Sequence, residues 1–311
     1  QYIPNENIYV VTSSQYKDIV EKQLPKLKPQ NILCEPSRKN TAPCIAYISY
    51  KLHQLNKKSN LICAPADHLI VDNTSFRKVS LEALEFTEKN KALVTLGIKP
   101  LFPNTGYGYI QHEQYAVSDN IYKVKTFTEK PDIELAKKFL ISGDFLWNAG
   151  IFVWRTESII SAFEKYLPEI HEIFDGAKKA LVTAGEKAAI ELIYPQCVNI
   201  SIDYGILEKA DNVYVIPSGF GWSDLGTWKS AYENLEKDYL ENAIAGDNVI
   251  LFDSTKNMIH SNGDKLIVLQ GLDDYIVVDT KDVLFVCKKE KEQHVKEYVA
   301  EIKRNKGDKY L

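Results

Sequence analysis

Apolar positions along this chain follow two rhythms. In the first, short continuous runs at Asn7–Thr12, Asn31–Cys34, Leu61–Ala64 and Ala92–Gly97 are separated by helix-length segments at Gln15–Leu24, Ala42–Leu55 and Ser75–Lys89. Strands that are apolar on both faces and alternate with helices predict a sheet covered on both sides, the α/β class. After Lys99 the pattern is richer in strands, expected at Tyr107–Gln111, Tyr122–Glu129, Ile151–Trp154, Val198–Ile202 and Val213–Ile216. Helices are expected at Asp132–Ser142, where Pro131 and Asp132 open the segment and Gly143 ends it, at Thr156–Tyr166 and at Ala177–Ile193.

The second rhythm begins near residue 240, which is taken as the domain boundary (1–240 and 241–311). Short β runs at Val249–Phe252, Met258–His260, Leu266–Leu269, Tyr275–Val278 and Val283–Cys287 are divided by polar turns such as Asn262-Gly263-Asp264. That spacing predicts a small all-β unit of the kind a few rungs of a β-helix give. A charged amphipathic helix, Glu290–Lys303, closes the chain with Val295, Tyr298, Val299 and Ile302 expected to face inward.

Composition narrows the function classes. Hydrophobic residues are 45% and charged residues 26% of 311, an ordinary globular balance. Lys+Arg 38 against Asp+Glu 42 gives a net charge of −4 and removes the overall basic footprint of a nucleic-acid binder. No run approaches the ~20 apolar residues of a membrane span, and no signal peptide opens the chain, so neither nucleic acid nor membrane is an expected partner. Five scattered cysteines without C-x-x-C spacing read as reduced thiols of a cytoplasmic protein. The only Met is Met258, and Gln1 leads almost at once into a strand, so the first segment of the protein is expected to be missing.

Several segments carry possible chemistry. Pro65-Ala66-Asp67-His68 follows a buried strand, where ligands of open α/β sheets bind. Asp67 is either a hard oxygen ligand suited to Mg²⁺ or a helix N-cap; His68 is read as structural. Gly221-Trp222-Ser223-Asp224-Leu225-Gly226-Thr227-Trp228 offers one carboxylate, Asp224, which with Asp67 could clamp a metal; otherwise it is a glycine-rich loop with two core tryptophans. Phe127-Thr128-Glu129-Lys130-Pro131-Asp132 holds either a sugar-hydroxyl acceptor beside a phosphate-binding ammonium or a plain surface ion pair. Trp147-Asn148-Ala149-Gly150 offers an amide for hydroxyl recognition. Thr105-Gly106-Tyr107-Gly108-Tyr109-Ile110 is a turn where a ligand can approach the backbone. In Glu35-Pro36-Ser37-Arg38-Lys39-Asn40-Thr41-Ala42-Pro43, amides entering a helix can read a base edge or an anion. Neither a complete Rossmann fingerprint nor a P-loop is found.

Taken in order, and with Ser201-Ile202-Asp203-Tyr204 added, these segments resemble the bacterial mannose-1-phosphate guanylyltransferases (GDP-mannose pyrophosphorylases) over nearly the whole chain. The resemblance implies a Rossmann-like nucleotidyltransferase core with a mixed, mostly parallel sheet, followed by a small left-handed β-helix-like unit used in homodimer contacts. It implies the reaction of GTP with mannose 1-phosphate to give GDP-mannose and pyrophosphate. Asp67 and Asp224 would hold Mg²⁺, and Lys130 would lie near the sugar phosphate. Gly108, Tyr109, Glu129, Asn148 and Asp203 would hold the sugar. Glu35, Arg38, Asn40, Thr41, Ala42, Pro43, Pro65 and Ala66 would shape the nucleotide pocket. At 311 residues the chain is too short to include the phosphomannose isomerase domain of bifunctional members.

The family's glycine-rich phosphate loop, G-G-x-G-x-R-L-x-P, is expected upstream of Gln1, either removed or part of the molecule beyond this sequence, and its true absence would put catalysis by this chain in question. Two rival readings use the same residues: a non-catalytic sugar-nucleotide sensor, and a metal-dependent glycosyltransferase. Retention of both carboxylates argues against the first. The want of an Asp-x-Asp after a strand in the first half argues against the second.

Overall fold

The first two apolar runs form a parallel pair, β1 (Val10–Ser13) beside β2 (Ile32–Glu35), connected through α1 (Lys17–Gln23). The computed structural model describes residues 2–310; Gln1 lies outside them. From there the chain continues as α2 (Thr41–Leu55), β3 (Asn60–Cys63), β4 (Leu69–Ile70), α3 (Asn73–Lys89), β5 (Leu93–Ile98), β6 (Gly108–Ser118) and β7 (Ile121–Glu129). It then forms α4 (Ile133–Ser142), β8 (Phe145–Arg155), α5 (Thr156–Tyr166), α6 (Pro168–Ala177), α7 (Glu186–Ile193), β9 (Val213–Ser218) and β10 (Trp222–Ser223).

Six of these strands make one sheet in the order β3-β8-β5-β9-β7-β6, with β6 also paired to β8. The sheet is mixed, as expected. β3, β5, β9 and β6 run one way and β8 and β7 the other, so most strands share a direction although only the β5–β9 ladder is parallel. One face is covered by α2, α5 and α6, around Tyr50, Trp154, Phe163 and Phe174, each at most 1% exposed. The other is covered by α3, around Ala83, Val94, Val153 and Phe220. The central strands β5 and β8 are buried on both faces, and this is why their sequences are nearly continuous in apolar residues, whereas β6 and β7 carry polar residues where they are exposed.

The chain up to Ala66 and Ile70–Trp222 form one compact unit; Asp67–Leu69 and Ser223 onward form a second. The second unit contains α8 (Trp228–Asn234), β11 (Ala243–Ala245), β12 (Val249–Phe252), β13 (Met258–Ser261), β14 (Ile267–Gln270), β15 (Tyr275–Asp279), β16 (Leu284–Lys288) and α9 (Val295–Lys306). Parallel pairing of β11 with β13, β13 with β15 and β12 with β14 builds successive rungs of a β-helix-like coil. Buried asparagines close its corners: the Asn257 amide donates to Asn242 Oδ1 at 3.0 Å and to the Leu272 carbonyl at 2.9 Å.

Three local expectations are corrected. Val198–Ile202 is not a strand. Its backbone is taken by the start of α2, with the Ala42 N–H donating to the Ile200 carbonyl at 3.1 Å and the Ile202 N–H to Thr41 Oγ1 at 2.9 Å, and it runs into a π-helical turn at Asp203–Leu207. The helix expected over Ala177–Ile193 is confined to α7, Glu186–Ile193, because the stretch before it is taken up by a 3₁₀ turn at Ala180–Val182 and a Thr183 side-chain turn onto the Gly185 N–H. In α9, Tyr298 and Val299 stay 38% and 43% exposed, since the narrow coil beneath covers only part of the apolar stripe.

Candidate active site

β6, β7 and β8 are neighbours in the larger sheet, and their pairing brings together residues scattered in sequence. Gly108 opens β6 opposite Glu129, the last residue of β7, while Asn148 lies on β8. A Cβ built on Gly108 would stand 3.3 Å from the Asn148 Cβ and in hard overlap with Glu129 Oε2. Only glycine lets the two side chains converge there. Asn148 Nδ2 donates to Asp203 Oδ1 at 2.9 Å from the π-helical turn. The Lys130 ammonium is 3.2 Å from Glu129 Oε1, with Glu129 only 12% exposed. Lys130 itself has φ +48°, a conformation that L-residues seldom adopt and that recurs at ligand-binding positions.

Two carboxylates, one ammonium and one amide therefore share a small volume of the first unit. Burial first, and the Glu129 carboxylate second, push the Asp203 carboxyl up to about 6, against the opposing pull of its backbone hydrogen bond, the Asn148 amide and Lys130. A carboxylate kept charged at neutral pH at this cost is a strong acceptor for hydroxyl groups. The side chain of Tyr109 is fully buried, its hydroxyl accepting the Asn104 N–H at 2.9 Å, so it can offer a ligand only its backbone.

The polar loop after β2 is tied to the same region. Asn40, at φ +66°, caps α2 by accepting the Thr41 N–H at 2.9 Å, and Thr41 and Ala42 hold the 200–202 segment that leads into Asp203. Ala42 and Pro43 are buried, while Asn40 and Thr41 are exposed at the helix start. Arg38 donates to the Tyr16 hydroxyl at 2.9 Å, and its guanidinium lies 5.9 Å from the Tyr16 ring centroid. Glu35 accepts a hydrogen bond from the buried Tyr194 hydroxyl, while burial pushes its carboxyl above the usual range. Pro65 and Ala66 are exposed in the loop following β3.

Asp67 and Asp224 both belong to the second unit. β4 pairs with β10, and the Val71 and Asp72 N–H groups donate to Gly221 and Phe220 in descending order, so these segments run antiparallel. Asp67 and Asp224 therefore leave the ladder at the same end. Gly221, at φ +66°, permits the approach, since a Cβ there would meet Val71 at 2.9 Å. Asp67 is not a helix cap: that position is filled by Asp72, which accepts the N–H groups of Thr74 and Ser75. Its side chain is 85% exposed, 3.8 Å from His68 Nε2. Asp224 Oδ1 accepts the Gly226 N–H at 3.1 Å, and Leu225 between them has φ +49°.

Among the described residues no group of three or more His, Cys, Asp or Glu could hold a metal. Two carboxylates at one ladder end nevertheless fit Mg²⁺, which takes one or two carboxylates and fills its octahedron with water and phosphate oxygens. A cleft of about 580 Å³ in the first unit, lined by Lys78, Glu82, Asp119 and Asn120, contains none of the candidate residues, so volume alone does not mark the site.

Sequence reasoning passed over Thr95 and Tyr194, which hold Asn148 and Glu35. Thr95 carried a signal: it is the polar residue inside an apolar strand, where a hydroxyl must find a partner.

Comparison with known proteins places the chain in a family. The family model for nucleotidyl transferase matches residues 4–241, and a model described as a MannoseP isomerase/GMP-like beta-helix domain matches residues 247–302. Alginate biosynthesis protein AlgA of Pseudomonas putida is 36% identical over 294 residues, covering 93% of this chain and 60% of that protein. Mannose-1-phosphate guanylyltransferase of Salmonella montevideo is 35% identical over 302 residues, covering 94% of this chain and 63% of that protein. The chain thus spans somewhat under two thirds of the length of these curated relatives. Among solved structures, the crystal structure of mannose-1-phosphate geranyltransferase from Thermus thermophilus superposes with a TM-score of 0.84 at 25% identity, covering 97% of this chain and 86% of that one. With a matched family model running from residue 4 to residue 241, over the mixed sheet and its polar cluster, the chain belongs to the nucleotidyl transferase family.

Proposed function

We propose that the protein transfers GMP from GTP to mannose 1-phosphate, giving GDP-mannose and pyrophosphate. The observation that carries this reading is the convergence of Glu129, Asn148 and Asp203 at Gly108, in a chain whose relatives include a protein named mannose-1-phosphate guanylyltransferase. Carboxylates and an amide are the groups that bind sugar hydroxyls, and Lys130 beside them suits the sugar's phosphate.

The attacking oxygen of mannose 1-phosphate is already anionic, so no general base is required. It bonds to the α-phosphorus of GTP while the α–β bridge breaks and pyrophosphate leaves with the electron pair. Positioning and charge neutralisation do most of the work in such a transfer. Asp67 and Asp224 would hold Mg²⁺, which when bound supplies neutralising charge for phosphate oxygens. Asn40, Thr41 and the loop at Pro65-Ala66 would meet the nucleotide, with Arg38, Glu35, Ala42 and Pro43 shaping that loop.

The protein would act as a homodimer in the cytoplasm. Ile250, Phe252 and Val268 lie 45–55% exposed on the paired strands β12 and β14, an apolar face of the kind that meets a second copy. All five cysteines are free, as in a reducing compartment. Among the described residues no helix is long and apolar enough to cross a membrane.

Thermal unfolding with Mg²⁺ and each of GTP, UTP, dTTP, GDP-mannose and UDP-glucose tests the reading. A ligand at 100 times its Kd stabilises by about 2.7 kcal/mol, so GTP and GDP-mannose should raise Tm clearly. Equal stabilisation by UDP-glucose would refute guanine and mannose selectivity. Gly108→Ala tests the cradle: the added methyl displaces Glu129, and affinity for mannose 1-phosphate should fall about tenfold, the weight of one charged hydrogen bond. Unchanged affinity by calorimetry would remove Glu129 from the sugar site.

A further inference from the structure

Thr95 is wholly buried in β5. Its Oγ1 lies 2.9 Å from Asn148 Oδ1 and 3.3 Å from the Ile151 carbonyl. The same Asn148 oxygen accepts the Gly150 N–H at 3.2 Å, while Nδ2 donates to Asp203 Oδ1 at 2.9 Å. A backbone N–H can only donate and a carboxylate can only accept, so the amide has one orientation that satisfies both neighbours. In that orientation the Thr95 hydroxyl donates its single proton to Asn148 Oδ1, the nearer of its two acceptors.

The consequence lies on the other side of the amide. With its oxygen occupied by two donors from the sheet, Asn148 presents nitrogen outward. One Nδ2 proton goes to Asp203, and among the described residues no acceptor takes the second. We propose that Thr95 is a positioning residue of the sugar site, holding the Asn148 amide so that this remaining N–H meets a hydroxyl or ring oxygen of the sugar and the Asp203 carboxylate stays in place beside it. The proposal rests on the reading of the Glu129–Asn148–Asp203 cluster as a sugar site. Losing the Thr95 hydroxyl leaves Asn148 Oδ1 with only the longer Gly150 bond, so the amide keeps its orientation but is held less firmly in place beside the Asp203 carboxylate.

The experiment compares Thr95→Val, which keeps the shape and removes the donor, with Thr95→Ser, which keeps the donor, and with Asn148→Ala, in the intact protein. Steady-state constants for both substrates and Tm are measured. Thr95→Val should raise KM for mannose 1-phosphate about tenfold, the cost of a buried acceptor losing its donor, with KM for GTP and kcat changed less than about twofold. Thr95→Ser should restore KM. If Asn148→Ala raises KM while Thr95→Val leaves it unchanged, or if Thr95→Val lowers Tm and kcat together without rescue by Ser, the positioning role is overturned and the sugar site stands. If Asn148→Ala itself leaves KM unchanged, the sugar-site reading fails and takes the proposal with it.

Discussion

Asp224→Asn and Asp67→Asn should each lower turnover of the intact enzyme by at least about 10²-fold, the scale of losing one preorganised electrostatic partner of a transition state. Asparagine keeps the shape of each side chain, and at 224 it retains an oxygen to accept the Gly226 N–H. What it removes is the negative charge that a divalent cation requires. Stability should hardly change at 67, because that side chain is 85% exposed and caps no helix. The effect should therefore appear in kcat and in the Mg²⁺ concentration needed for half-maximal rate, not in Tm. Both carboxylates leave the β4–β10 ladder at one end, which is why both substitutions should act in the same sense. Near-normal turnover of both variants at low Mg²⁺ would overturn the metal assignment.

Much of the architecture was legible because its physical causes are local. Apolar runs separated by helix-length segments mark a sheet buried on both faces, and Asp132 with Gly143 marks the two ends of α4 through a cap and a left-handed C-terminus. The short rungs of the second unit were legible from turn spacing alone. What escaped depends on partners far away in sequence. Val198–Ile202 has a strand's composition, but its backbone groups are taken by Thr41 and Ala42. Tyr298 and Val299 have an inward-facing pattern, yet the extent of the coil beneath them, not the helix's own periodicity, sets their burial.

The candidate site divides along the same line. Gly108, Glu129, Asn148 and Asp203 could be singled out as residue types; strand pairing brings the first three together, and the π-helical turn adds Asp203 through its bond with Asn148. The residues that fix their geometry are silent in a linear reading, since Thr95 reaches Asn148, and Tyr194 reaches Glu35, only through the fold. The alternative reading of Asp67 as a helix cap also needed the structure, because Asp72 competes for the same helix start with equal chemistry.

Asp203→Asn should stabilise the ligand-free protein at pH 7.5 while weakening its hold on mannose 1-phosphate. Burial and Glu129 raise the Asp203 carboxyl to about 6, whereas an unfolded-chain aspartate titrates near about 3.9. The folded state thus binds the proton more tightly. Its advantage is fully present below about pH 4 and is lost as pH rises through about 6. Above that, the charged side chain costs the fold up to about 3 kcal/mol, at about 1.4 kcal/mol per pH unit of displacement. Asparagine removes the charge, and with it the repulsion from Glu129, and keeps an oxygen for Asn148 Nδ2. At about 2–4 °C per kcal/mol, Tm should rise by several degrees at pH 7.5, with the gain vanishing near pH 4. Affinity for the sugar phosphate should fall more than about tenfold, because a charged acceptor is lost. A charge that costs stability in the ligand-free protein and strengthens binding is the pattern a sugar-binding role for Asp203 predicts. If Asp203→Asn lowers Tm at pH 7.5, the carboxylate is holding the π-helical turn together and its place in the sugar site is wrong.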